Sequence, residues 1–89
     1  MITKHVLVSG VVQGVGYRAW TQHEAGRRNL VGWVRNCDDG RVEATLQGSP
    51  DAVEAMLDAM RKGPAMARVD EIITQDTEAL PTRNFEVTR

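Results

Sequence analysis

Eighty-nine residues, 42% hydrophobic and 26% charged, make an ordinary globular composition: one small domain over residues 1–89, too short for a multi-lobed enzyme. Eleven Lys and Arg against twelve Asp and Glu leave a net charge of −1, without the basic excess of a nucleic-acid binder, and no apolar run approaches the ~20 residues of a membrane span. A single cysteine, Cys37, excludes an internal disulfide and a multi-cysteine metal site; with no basic-then-apolar leader at the start, the expected setting is the cytoplasm.

Residues 4–9 (Lys-His-Val-Leu-Val-Ser) are β-branched and apolar and predict a central strand. Residues 10–16 carry three glycines, Gly10, Gly14 and Gly16, and predict a loop. A helix is expected over residues 17–28, with an imperfect stripe of Tyr17, Trp20, Thr21 and Ala25, and Asn29 suits a left-handed residue just past its end. Residues 32–36 read as a short strand, Asp38-Asp39-Gly40 as a tight turn, and residues 41–47 as the returning strand, with Val42, Ala44 and Leu46 on one face. The second helix has the clearest signals. Ser49 is placed as N-cap, Pro50 at the first helical position and Asp51 in the first turn; Val53, Met56, Leu57 and Met60 repeat at helical spacing, and Gly63-Pro64 stops it. A strand over residues 68–74, a loop over 76–82 containing Pro81, and a last short strand over 84–89 complete the chain.

This order is β-α-β-β-α-β plus a terminal strand. Two split β-α-β units predict a ferredoxin-like α+β sandwich, an antiparallel sheet with both helices on one face. The first two strands then run parallel with the third between them. Their carboxyl ends share a sheet edge about two strand spacings, ~10 Å, apart. The glycine loop and Asn36 become neighbours.

The two helix starts differ. The second has an acid first and bases last; the first begins with Arg18 and has no acid until Glu24. A cation beside a positive helix end is unfavourable by a few tenths to ~1 kcal/mol. Glycine-loop amides, helix terminus and guanidinium together make a site for an anion with several oxygens, and phosphate fits best.

Most phosphate chemistries fail on the residues. There is no Walker string; the sixth position after Cys37 is Glu43 rather than arginine; the second after Asp38 is Gly40 rather than aspartate. His5 and His23 are isolated and read as packing or surface residues rather than metal ligands. Gly14-Val-Gly16-Tyr-Arg-Ala19 fits the dinucleotide fingerprint, but that fingerprint needs parallel β-α-β repetition and here a hairpin follows. What remains is a phosphate site without metal, cofactor, nucleophile or evident general base. An alkoxide, whose conjugate acid lies near water's pKa of ~15.7, needs help to depart. A carboxylate, with a conjugate-acid pKa of about 4, leaves unaided from a loose phosphoryl transition state. A mixed anhydride of phosphate and a carboxylic acid suits so sparse a site.

Residues 7–18, Leu-Val-Ser-Gly-Val-Val-Gln-Gly-Val-Gly-Tyr-Arg, resemble the first signature of the acylphosphatase family, Gly-x-Val-Gln-Gly-Val-x-Phe-Arg. Gly32-Trp-Val-Arg-Asn36, followed by Gly40, Val42 and Gly48, resembles the second, and the likeness runs on through Gly63-Pro64, Val69 and Phe85-x-Val-x-Arg89. The resemblance implies a ferredoxin-like fold and metal-independent hydrolysis of acyl phosphates. It implies that Arg18 and the backbone amides of Gln13, Gly14, Val15, Gly16, Tyr17 and Arg18 bind the phosphate, and that the Asn36 amide holds the attacking water. Tyr17 departs from the usual Phe and Asn29 from the usual Gly. The expected partner is a small-molecule acyl phosphate, with inorganic phosphate or sulfate as competing anion; neither nucleic acid nor a membrane is expected, and nothing demands more than a monomer. The competing expectation is a non-catalytic ferredoxin-like module that captures an anion or phosphometabolite. Cys37, beside Asn36, is expected to be incidental, though close enough to confer sensitivity to thiol reagents.

Overall fold

A computed structural model describes residues 1–88. Its elements are β1 (Ile2–Val11), α1 (Tyr17–Arg27), β2 (Val31–Asn36), β3 (Val42–Gly48), α2 (Pro50–Lys62), β4 (Arg68–Asp76) and β5 (Phe85–Val87). They form one five-stranded sheet in the order β4-β1-β3-β2-β5. β3 lies antiparallel between β1 and β2, and β4 is antiparallel to β1, the ferredoxin-like arrangement predicted above. β5 adds to the outer side of β2 in parallel, pairing Gly32 with Phe85 and Val34 with Val87. The expected last strand over residues 84–89 is thus three residues long, and Arg89 lies outside the described residues.

Strand alternation fixes which face the helices cover. Val6, Val8, Val34, Val42, Ala44 and Leu46 all turn to one side and are buried there against Tyr17 and Ala25 of α1 and Val53, Met56, Leu57 and Met60 of α2. Within α2, Ser49 caps through its side chain, which accepts from the Ala52 amide, and the chain leaves at Gly63. α1 closes through Arg28 onto Asn29, at a left-handed φ of 57° as its position predicted. Arg27 in its last turn and Arg28 at its C-cap both bind Glu24.

The two helices are tied by Tyr17. The Tyr17 hydroxyl donates to the Met60 carbonyl at 2.8 Å. That carbonyl belongs to the last turn of α2, where carbonyls lack helical partners. Burial pushes the Tyr17 phenol far above its ordinary pKa, so it remains a donor across the accessible pH range. Tyr17→Phe strands a buried acceptor and is expected to destabilise the fold by about 1–2 kcal/mol. Urea denaturation checks this: the midpoint should fall without a change in slope.

Three parts of the fold depart from expectation. Gly10 and Val11 belong to β1 rather than to the loop. The β1–β4 register shifts between Ser9 and Gly10, a bulge that carries the strand onward opposite Val69 and Arg68. Gly10 sits at φ 132°, and a Cβ there would lie 2.1 Å from the Arg68 carbonyl oxygen, so its role is close strand approach and not turn formation. The glycine loop therefore spans only residues 12–16. β4 runs on to Asp76, and the connection to β5 covers residues 77–84 rather than the predicted 76–82. Finally, that loop is no simple connection. Gln47 holds Leu80 through both its amide groups, at 3.1 and 2.6 Å, while Thr3 donates to the same Gln47 oxygen. The segment therefore lies against the sheet face away from the helices, and Thr3, Thr45 and Gln47 are buried.

Candidate active site

The register sets the site. Val8 of β1 and Asn36 of β2 both stand opposite Val42 of β3, so β2 ends beside Val8 while β1 runs on to Val11 before the loop begins. From β1 the chain enters the loop through Val12, which is buried, and leaves it through Tyr17, which is also buried. Both ends of the loop are thereby anchored in the core while the amides between them stay at the surface.

Gly14 and Gly16 adopt φ of 74° and 78°, and Gly16, the N-cap of α1, is in the left-handed region. Nothing crowds either position, so glycine is required there by conformation alone. Alternating left-handed residues turn successive N–H groups to one side. Among the described residues, no amide from Gln13 to Ala19 donates to a protein acceptor; the first bond of the helix is from Trp20 to the Gly16 carbonyl. α1 has no side-chain cap and no acid in its first turn, in contrast to α2 with Ser49 and Asp51. One helix end is closed by the protein. The other is left open.

A cavity of ≈ 220 Å³ occupies this position, lined by Val12, Gly14, Gly16, Tyr17, Arg18, Ala19, Asn36 and Val87. It brings together Arg18 and Asn36 with the loop backbone, as the strand arrangement predicted. Arg18 is half-buried, and its one hydrogen bond among the described residues is long, 3.4 Å from Nη1 to the Thr88 carbonyl. Arg27, Arg28, Arg35, Arg41, Arg61 and Arg68 each pair with a carboxylate; Arg18 has none among the described residues. Asn36 presents the complementary anomaly. Its Oδ1 is the one buried side-chain polar atom among the described residues without a hydrogen-bond partner. An orphaned buried acceptor costs about 1–3 kcal/mol and calls for an external donor.

Gln13 and Val15 do not line the cavity. Val15 packs on the core, and the Gln13 side chain turns to the β2–β3 hairpin. Val12, Ala19 and Val87, which do line it, were not singled out from sequence. Val87 arrives only through the parallel pairing of β5, for which three alternating residues give no signal.

Cys37 is partly buried, and burial pushes its thiol above its ordinary value of 9.0; Glu43 and Asp39 add to this while Arg35 and Arg41 oppose it. The thiol is therefore protonated near neutrality, which slows its reaction with thiol reagents. Iodoacetamide should modify the native protein more slowly than a free cysteine at neutral pH, accelerating as pH rises beyond 9.0; mass spectrometry of quenched samples measures this. His5 lies on the opposite sheet face, held with Arg35 by Glu43. Among the described residues no helix is long and apolar enough to cross a membrane.

The acylphosphatase family profile matches residues 4–87. The chain belongs to the acylphosphatase family. It is 62% identical to an acylphosphatase of Alcanivorax borkumensis, over 99% of this chain and 100% of that one. The crystal structure of acylphosphatase from Bacillus subtilis superposes with a TM-score of 0.94 at 36% identity, covering both chains fully. An acylphosphatase from Coxiella burnetii gives 0.94 at 31% identity, covering 98% of this chain and 92% of that one. Its activity is acylphosphatase, hydrolysis of the carboxyl–phosphate bond of an acyl phosphate to a carboxylate and inorganic phosphate. A non-catalytic anion-binding module is not favoured.

Proposed function

We propose that Arg18 and the amides of Gln13 to Arg18 hold the phosphoryl group of the acyl phosphate while Asn36 holds the attacking water. The observation that carries this is the shared cavity: an open helix end and a loosely held guanidinium on one side, an orphaned Asn36 oxygen on the other. The loop amides and the two-pronged guanidinium offer donors to the three non-bridging oxygens. Asn36 Oδ1 accepts a hydrogen from water, turning a lone pair of the water oxygen toward phosphorus.

The water oxygen then bonds to phosphorus as the bond from phosphorus to the acyl oxygen breaks. The electron pair of the broken bond goes to the departing carboxylate, and the proton shed by the water ends on the phosphate product or in solvent. Because the leaving group's conjugate acid has a pKa of about 4, no general acid is required at this pole of the reaction. Catalysis is positioning together with stabilisation of charge on the equatorial oxygens.

On this reading residues 1–89 act as a single domain and a monomer in the cytoplasm. Neither metal nor cofactor is required, nucleic acid and membranes are not partners, and inorganic phosphate or sulfate competes for the loop. The test is phosphate release from benzoyl phosphate in excess chelator, with inorganic phosphate as inhibitor. Saturable release, inhibited competitively, is expected. Release that disappears with chelator, or tight binding without release, overturns it.

A further inference from the structure

The loop that holds the phosphate and the strand that ends in Asn36 are separate pieces of chain, yet the reaction requires their separation to be fixed. Among the described residues, one side chain joins them by hydrogen bonds. Gln13 Nε2 donates to the Cys37 carbonyl at 2.8 Å and to the Arg41 carbonyl at 2.9 Å. These are the two ends of the β2–β3 connection, themselves bonded from the Cys37 amide to the Arg41 carbonyl at 2.8 Å. The connection is further braced by Gly40 bonding back to the Cys37 carbonyl and by Asp39 accepting from the Arg41 amide. The Gln13 amide thus grips a hairpin base that is already rigid, one residue beyond Asn36.

We infer that the Gln13 side chain is a positioning residue that sets the Asn36 amide relative to the phosphate loop. Its carboxamide acts on the hairpin and touches no reacting atom, whereas its backbone N–H belongs to the loop. Both bonds require an N–H donor, and a carboxylate at the same place would face two carbonyl oxygens instead. The neighbouring anchors do not duplicate it: Tyr17 binds α2, and Val12 packs in the core. Without Gln13 the loop and helix end keep their own geometry, but the span from phosphorus to the water-holding amide is no longer fixed. A misplacement of about 1 Å in a reacting group can cost about 10² in rate.

The inference rests on the water-holding role proposed for Asn36, so the experiment is a double-mutant cycle on kcat for benzoyl phosphate, with the inhibition constant of inorganic phosphate measured on each variant. Gln13→Ala and Gln13→Glu are expected to lower kcat by about 10- to 100-fold while the phosphate inhibition constant stays within about threefold, because the anion site is untouched. In an Asn36→Ala background, Gln13→Ala should lower kcat by no more than about twofold, since the residue acts through a group already removed. Gln13→Asn, which keeps the donor on a shorter stem, should be intermediate. Additive losses in the double variant, or a weakened phosphate constant with unchanged kcat, overturn the positioning role. If Asn36→Ala alone retains normal turnover, the water-holding reading fails instead, and the two failures are distinct. Circular dichroism and urea midpoints on each variant confine the comparison to folded protein.

Discussion

Replacing Arg18 by lysine is expected to lower kcat/KM for benzoyl phosphate by about 10³, the upper range for loss of one oxyanion donor set. The charge survives, so a merely electrostatic role would predict a small effect. The geometry predicts a large one. A guanidinium offers planar paired donors that reach two oxygens of a phosphoryl group at once, whereas an ammonium is a point charge on a flexible stem. Arg18 stands at the start of α1, and Nη1 spends only a 3.4 Å contact on the Thr88 carbonyl, a distance at which a hydrogen bond is weak. The guanidinium is therefore available to a ligand at little cost. Inhibition by inorganic phosphate should weaken along with turnover. A lysine variant with normal phosphate affinity and normal turnover would show that the anion is held by backbone alone.

Asn36→Ala is expected to separate catalysis from stability. Turnover should fall by about 10² or more, on the scale of other positioned polar groups at reacting centres. Stability should be unchanged or higher by up to about 1 kcal/mol, because the substitution removes a buried acceptor that the fold leaves unpaired. The phosphate inhibition constant should barely move, since in the proposed mechanism Asn36 holds the water and not the phosphoryl oxygens. An urea midpoint and a steady-state assay on the same sample decide the matter. Loss of stability with retained turnover would make Asn36 a structural residue.

Most of the architecture was legible because its signals are local. Ser49, Pro50, Asp51 and Gly63 mark α2 by their own chemistry, and the apolar residues between them carry its period. The alternation of Val42, Ala44 and Leu46 marks β3 and its buried face. The place of the cavity was legible for a different reason, a contradiction of local rules: an arginine where an acid belongs, after glycines that no turn alone explains.

What escaped the sequence depends on distant backbone. Gly10 looks like loop because nothing nearby reveals the Arg68 carbonyl against which it packs. The segment after β4 reads as a connection, since its docking runs through Gln47, 33 positions from Leu80. Gln13 reads as part of the glycine loop, and its amide does belong there. Its side chain answers to two carbonyls on another hairpin, and a carbonyl's direction leaves no mark in the sequence. Val87 joins the cavity only because β5 turns parallel to β2.

The account depends most on the loop being a phosphate cradle. Titration of ¹⁵N-labelled protein with inorganic phosphate, followed residue by residue, tests it directly. The amides of Gln13 to Arg18 and the Arg18 side chain should shift together on one saturable curve, while Ser49 and Ala52 at the other helix start stay fixed. Shifts scattered over the arginine-bearing surface, with the loop amides silent, would contradict it.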